Sequence, residues 1–411
     1  MSAAPTGEDE DKAGADGAAL APATRLAHAG RRPEWTHGVV NPPVYHASTC
    51  TFQTLDAFDE RLADPDGGLY YGRRGTPTHW ALEEALTEME PGAGGTKLFP
   101  SGVAAIATAL MAVVKTGDHV LIADSVYEPT RAMAKGLLAR IGAEAEFYDP
   151  LIGDGIAELF RDNTAALYME SPGSLTFEVQ DVPALCTAAK ARGIATILDN
   201  TWATPLLFPA LARGIDISVQ SLTKFVVGHS DAMLGSVSAT EEYLPRVKAM
   251  TYRLGQTAGP DDVALGLRGL RTLAARMDRH GRSALTVARA LAEHRAVARV
   301  LCPGLPDDPH HALWQRDFAG YSSIFSIELA GGERAHLAAM IDPLRLFSMG
   351  FSFGGYESLV LPVNPAPLRT ATSFAQGGPI VRIHVGLEEP DDLIRDLIAG
   401  LDRFADAAGL R

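Results

Sequence analysis

A chain of 411 residues with 46% hydrophobic and 21% charged side chains is long enough for two or three soluble domains with a substantial core. Its 36 basic residues are outnumbered by 50 acidic ones, and the net charge of −14 excludes wide nucleic-acid or anionic-membrane surfaces. Three scattered cysteines, Cys50, Cys186 and Cys302, form no disulfide framework and suit a reducing cytoplasm, and the histidines follow no metal-binding spacing.

Residues 1–23 are acidic and rich in small side chains, which reads as a disordered tail and not as a signal or transit peptide. No apolar run is long enough to span a bilayer. From residue 24 to 75 the chain is broken by Pro33, Pro42, Pro43, Pro65, Gly67 and Gly68, and a helical turn or two is expected only around Leu55–Ala63. A long, partly apolar, irregular segment must be held by something outside itself. Inside it, YYGRRG (Tyr70–Gly75) sets two arginines in a glycine-bounded turn, where a guanidinium fork suits phosphate. A solvated basic turn is the plain alternative.

Thr78–Met89 has helical periodicity, and Lys97–Pro100 reads as a short strand. Ser101, Gly102 and Val103 then open a helix whose unpaired N–H groups suit phosphate, although a simple helix start would look the same. His119–Ala123 is a strand. Tyr127 follows in SVYEP, an aromatic at the sheet mouth able to stack on a conjugated ring. Ala165–Met169 is the next strand, ending in ESPGS, and Asp181–Arg192 is a helix. Strands and helices alternate as far as Asp231, which specifies a mainly parallel sheet covered by helices on both faces.

Ile194–Leu198 is an apolar strand ended by Asp199, and a carboxylate there faces the ligand crevice of an α/β sheet. A helix cap in Asp-Asn-Thr is the simpler account. The next strand, with Ile215, Ile217 and Val219 alternating, leads to Ser221, Thr223 and Lys224. The apolar residues around Lys224 favour its neutral amine, a nucleophile toward carbonyls. On an extended segment Ser221 and Thr223 share a face and can both donate to a phosphate. An aspartate on one strand and a lysine after the next is the arrangement that holds pyridoxal phosphate (PLP), the aspartate keeping the pyridine nitrogen protonated. Beyond about residue 240, helices are expected over Glu241–Leu254, Asp261–His280, Arg282–Ala292 and Asp391–Ala405, with strands at Ser322–Leu329 and Val381–Val385. GFSFGGYESL is a glycine-hinged loop, and Arg382, among apolar strand residues, needs an anionic partner such as an amino acid's carboxylate or an internal acid.

ILDNTWATPLLFPAL followed by SVQSLTKFVVGHSD resembles the Cys/Met-metabolism family of fold-type I PLP enzymes. So do YYGRRGTPTH, FPSGVAA, SVYEP, DPLIG, ESPGS, GLRTL, FSMGFSFGGYESL and VRIHVGLEE, from about Asn41 to near the C-terminus. The resemblance implies a seven-stranded sheet, an arm over residues 24–75 laid on a neighbouring subunit, a PLP-binding domain over 76–270 and a smaller α+β domain over 271–411. It implies PLP on Lys224, with Asp199 at the ring nitrogen and Tyr127 over the ring. The phosphate would be held by Ser101, Gly102, Val103, Ser221 and Thr223, together with Tyr71 and Arg73 from the adjacent subunit of a homotetramer. It places Ser352 and Arg382 at the substrate carboxylate.

Within the family the likeness is to bacterial carbon–sulfur β-lyases acting on cystathionine. The rival readings are γ-lyases, O-acylhomoserine sulfhydrylases and a catalytically silent homologue. The last is opposed by the presence of Lys224, Asp199, Tyr127, Arg73 and Arg382 together. The chain departs from the β-lyase pattern at Phe351 and Phe353, where that pattern has a tyrosine and a tryptophan.

Overall fold

A computed structural model describes residues 20–410. Most of the expected tail, residues 1–19, lies outside the described residues. Pro22 and Ala23, its last two residues, instead open a helix, α1 (Pro22–His28), with the proline at the helix start where its missing N–H costs nothing.

Seven strands build the larger sheet: β1 (Gly95–Phe99), β2 (His119–Ala123), β3 (Glu144–Tyr148), β4 (Thr164–Glu170), β5 (Ala195–Asp199), β6 (Ile217–Gln220) and β7 (Gly235–Ala239). Their spatial order is β1-β7-β6-β5-β4-β2-β3, and β7 alone runs against its neighbours. Every residue of β2, β5, β6 and β7 is buried, so these strands carry continuous runs of small and apolar side chains instead of an alternation. The mainly parallel α/β sheet expected from the sequence is present.

From β2 the chain steps outward to β3, then returns to lay β4 on the other side of β2. This reversal opens a crevice beyond the carboxyl ends of the parallel strands, the usual ligand position in such sheets.

The arm contributes α2 (Pro33–Thr36) and α3 (Leu55–Ala63), the latter capped by the Thr54 side chain on the Ala57 N–H. The sheet is flanked by α4 (Pro77–Met89), α5 (Gly102–Val113), α6 (Glu128–Met133), α7 (Val182–Lys190), α8 (Thr204–Leu207) and α9 (Leu244–Leu254). Helices α10 (Pro260–Leu270) and α11 (Leu273–Ala292) lead to the second sheet. That sheet comprises β8 (Val297–Leu301), β9 (Ile324–Leu329), β10 (Ser348–Met349), β11 (Leu359–Val363) and β12 (Ile380–His384), in the order β10-β11-β12-β9-β8. Helices α12 (His311–Asp317), α13 (Leu337–Ile341) and α14 (Pro390–Ala408) complete it, with α11 and α14 packed on each other.

The sequence pattern broke a helix at Gly281, but the break lies ten residues earlier, at Arg271–Thr272. There the buried Arg276 side chain draws Gly269 O (2.7 Å) and Thr272 Oγ1 (3.0 Å) into its own hydrogen bonds. Gly281 sits inside α11, and a Cβ at that position would lie 2.3 Å from the Tyr321 carbonyl oxygen. The glycine is there to let a helix touch backbone. Gly281→Ala should therefore destabilise the protein by roughly 1–3 kcal/mol through overpacking, outweighing the ~1 kcal/mol that alanine gains in helix propensity. A thermal or urea melt checks this, and a more stable variant would contradict it.

Candidate active site

Three parallel strands end side by side, and each delivers a functional group. Glu170 ends β4, Asp199 ends β5, and the two are direct partners across the pair. Strand β6 ends at Gln220 and the chain turns at once. The segment after it is not extended as expected. Ser221 N–H donates to Thr201 Oγ1 (2.8 Å), Lys224 N–H bonds back to Ser221 O (3.2 Å), and the Thr223 hydroxyl donates to Leu234 O (3.0 Å). Ser221 and Thr223 are thus presented from a turn, and the Thr223 hydroxyl is already engaged with Leu234.

Lys224 reaches the second sheet. Its Nζ donates to Ser352 Oγ at 2.6 Å and lies 5.1 Å from the centre of the Phe353 ring. Arg382, on β12, donates from Nη2 to the carbonyl oxygen of the same Ser352 at 2.9 Å. Burial, then the Arg382 charge, depress the Lys224 amine to about 8, against the opposing pull of Asp199. Burial likewise lowers Arg382 to about 10. Asp199 is buried and accepts the Thr201 N–H at 3.0 Å, and desolvation raises its carboxyl above the usual range. A buried acid of this kind gains by meeting a positively charged ring nitrogen, so the donor set fits a protonated pyridine.

The loop over the lysine is tightly drawn. Ser352 has φ 90°, which is unusual for a residue with a side chain, and Gly354 has φ 86°. A Cβ on Gly354 would come within 2.9 Å of Lys224 C. Phe353 packs on Phe225 at 5.6 Å, whereas Phe351 is 85% exposed.

The phosphate end also fits. Ser101 caps α5 through Oγ to the Ala104 N–H, which leaves the Gly102 and Val103 N–H groups at the open helix start. A Cβ on Gly102 would sit 2.6 Å from Ser221 Cβ, so only glycine lets the helix start come this close to Ser221. Tyr127 follows β2 at the crevice, 43% exposed as a residue, with its backbone N–H bonded to Glu170 Oε2 at 2.7 Å. Tyr71 and Arg73 lie elsewhere. Tyr71 pairs with Thr49 and Ser48, and Arg73 Nη1 donates to Tyr252 O at 3.1 Å, so their contacts run to the arm and α9 and not to the lysine.

Two residues that shape the site drew no role from the sequence. Glu170 stood inside ESPGS, and its position at a strand end beside the strand ended by Asp199 was a usable signal. Arg276 left none. It lies far along the chain, yet it donates to the carbonyls of Phe225 (2.6 Å) and Val226 (3.2 Å), directly after the lysine.

Fold and crevice together define an enzyme of the PLP-dependent class. The family model for Cys/Met metabolism PLP-dependent enzymes matches residues 23–402, and the chain belongs to that family. It is 43% identical to a cystathionine beta-lyase from Salmonella typhimurium over 388 residues, covering 93% of this chain and 98% of the relative. It is 42% identical to the cystathionine beta-lyase of Escherichia coli over 388 residues, with the same two coverages of 93% and 98%. Among solved structures, cystathionine gamma synthase from Xanthomonas oryzae pv. oryzae, in complex with aminoacrylate and cysteine, superimposes with a TM-score of 0.86 at 31% identity, covering 94% of this chain and 99% of that one.

The lysine's environment has a measurable consequence. In the PLP-free protein, acylation of Lys224 should rise with pH around a midpoint of about 8, because the neutral amine is the reacting form. Arg382→Ala should move that midpoint upward by removing a like charge. Peptide mapping after pH-stepped labelling reads both, and a midpoint shared with surface lysines would contradict the placement.

Proposed function

We propose that this enzyme is a carbon–sulfur β-lyase that splits L-cystathionine, with water, into homocysteine, pyruvate and ammonia. The observation that carries the reading is the shared grip on Ser352, with the Lys224 amine on its hydroxyl and the Arg382 guanidinium on its carbonyl. This sets a base and a carboxylate receptor side by side. The names of the relatives above support the same reaction.

When bound, PLP supplies the electron sink that spreads the charge left on the substrate Cα. Asp199 would keep a proton on the ring nitrogen, and Tyr127 would pack on the ring. Ser101, Gly102, Val103 and Ser221 would hold the phosphate, while Thr223, whose hydroxyl is bonded to Leu234, would brace the turn that presents Ser221. Lys224 would anchor the cofactor between turnovers, and its neutral amine is the base placed to take the Cα proton. Arg382 exchanges its Ser352 contact for the substrate's α-carboxylate, which it binds as a two-pronged fork. Ser352 Oγ holds the Lys224 amine in line. Electrons from Cα then expel the thiolate at Cβ, and the thiolate takes up a proton.

Phe351 and Phe353 offer neither an acid nor a base to the distal chain, so the further proton transfers at Cβ that γ-elimination requires would all fall to Lys224 or Tyr127, whereas β-elimination needs only the first deprotonation. Cystathionine should accordingly yield mainly pyruvate and homocysteine. Product analysis of the PLP-loaded enzyme decides it, since a majority of 2-oxobutyrate and cysteine would make the enzyme a γ-lyase.

The arm, residues 24–75, is proposed to complete the site of a second copy within a homotetramer, with Tyr71 and Arg73 at its phosphate. Mixing inactive Arg73→Ala and Lys224→Ala subunits should then restore activity, because one hybrid site keeps both residues. Failure to restore it after verified subunit exchange would remove the shared site.

A further inference from the structure

We propose that Glu170 is a positioning residue of this site: its carboxyl group holds the backbone of Tyr127 in place as a hydrogen-bond acceptor, without needing its charge. The inference rests on the roles proposed above for Asp199 and Tyr127. Tyr127 lies between β2 and the short helix α6 and has φ −48° and ψ 134°, and its side chain makes no capping bond. What holds its backbone N–H is Glu170 Oε2 at 2.7 Å. The carboxyl group comes from the end of β4, the strand that pairs with β2 on one side and with β5 on the other. Glu170 therefore ties Tyr127 to a strand paired on both sides within the sheet.

The charge state follows from the neighbours. Asp199 is the register partner of Glu170, and Tyr127 and Tyr168 both feel its charge. Two carboxylates this close in an enclosed site do not both ionise cheaply. Asp199 has the better claim to the charge, because the Thr201 N–H and Lys224 both favour it. Among the described residues the Glu170 carboxyl receives the Tyr127 N–H alone, and burial followed by the Asp199 charge pushes it well above the usual range. A neutral carboxyl still accepts a hydrogen bond through an oxygen. Glutamine has the same reach and an equivalent oxygen, and alanine has neither.

The test uses the PLP-loaded enzyme and reads kcat and KM, the visible circular dichroism of the bound cofactor, and the melting temperature of the PLP-free protein. Glu170→Ala should lower kcat by about 10- to 100-fold with little change in KM, and should alter the dichroism as the ring over the cofactor loses its place. Glu170→Gln should restore turnover to within about threefold of the parent, together with its dichroism. If the glutamine variant is as impaired as the alanine variant, the charge is required and the proposal fails. A lower melting temperature with unchanged dichroism in Glu170→Ala assigns the residue to folding alone and also overturns it. Tyr127→Ala separates the two readings. If it leaves the dichroism unchanged, the site assignment is wrong. If it changes the dichroism while Glu170→Ala does not, only the present inference falls.

Discussion

Two cations reach for one serine where the two sheets meet. Lys224 comes from the larger sheet and bonds Ser352 Oγ at 2.6 Å, while Arg382 comes from the smaller one and bonds Ser352 O at 2.9 Å. Neither guanidinium nor ammonium is at ease near the other in an enclosed place, and of the two only lysine can readily shed its proton. The arrangement thereby converts a packing contact between sheets into a reactive amine. Any shift of β12 against the larger sheet would change both the geometry and the charge state at once.

Much of the surrounding structure prevents such a shift. Below the lysine, Arg276 fixes the carbonyls of Phe225 and Val226. Above it, the Gly354 N–H donates to Nε2 of the buried His384 at 3.2 Å, and that imidazole is also bonded through Nδ1 to the Ser323 hydroxyl at 2.7 Å. Burial drives His384 down to about 3, so it serves as a neutral strut across the working pH range. The unusual φ of Ser352 is held in place by these contacts on either side of it.

The sheet and its two terminal groups were legible because strand ends leave a local mark: an apolar run, then a polar residue whose type announces chemistry. Asp199 and Lys224 were found in that way, and Arg382 as a lone charge among apolar strand residues. What the pattern could not carry were contacts made across the fold. Arg276 acts on a turn about fifty residues earlier in the chain, so nothing near it in sequence hints at the task. Gly281 looked like a helix end because periodicity cannot distinguish a glycine that stops a helix from one that lets Tyr321 come close. The extended reading of Ser221–Thr223 failed for a related reason, since Leu234 claims the Thr223 hydroxyl and folds the segment into a turn.

The net charge of −14 repels an anionic cofactor at long range, yet the field that matters at the site is local. Helices α10 and α14 begin with acid pairs, Asp261–Asp262 and Asp391–Asp392, which neutralise the positive ends of their own dipoles. Helix α5 is as long as α10 and carries no acid in its first turn. Its dipole and free N–H groups therefore remain available, and Gly102 keeps side-chain atoms out of the way. With the Debye length near 10 Å at ordinary ionic strength, the distant surface acids are screened while those donors are not. The same contrast explains why composition alone excluded broad anionic partners without excluding a single phosphate.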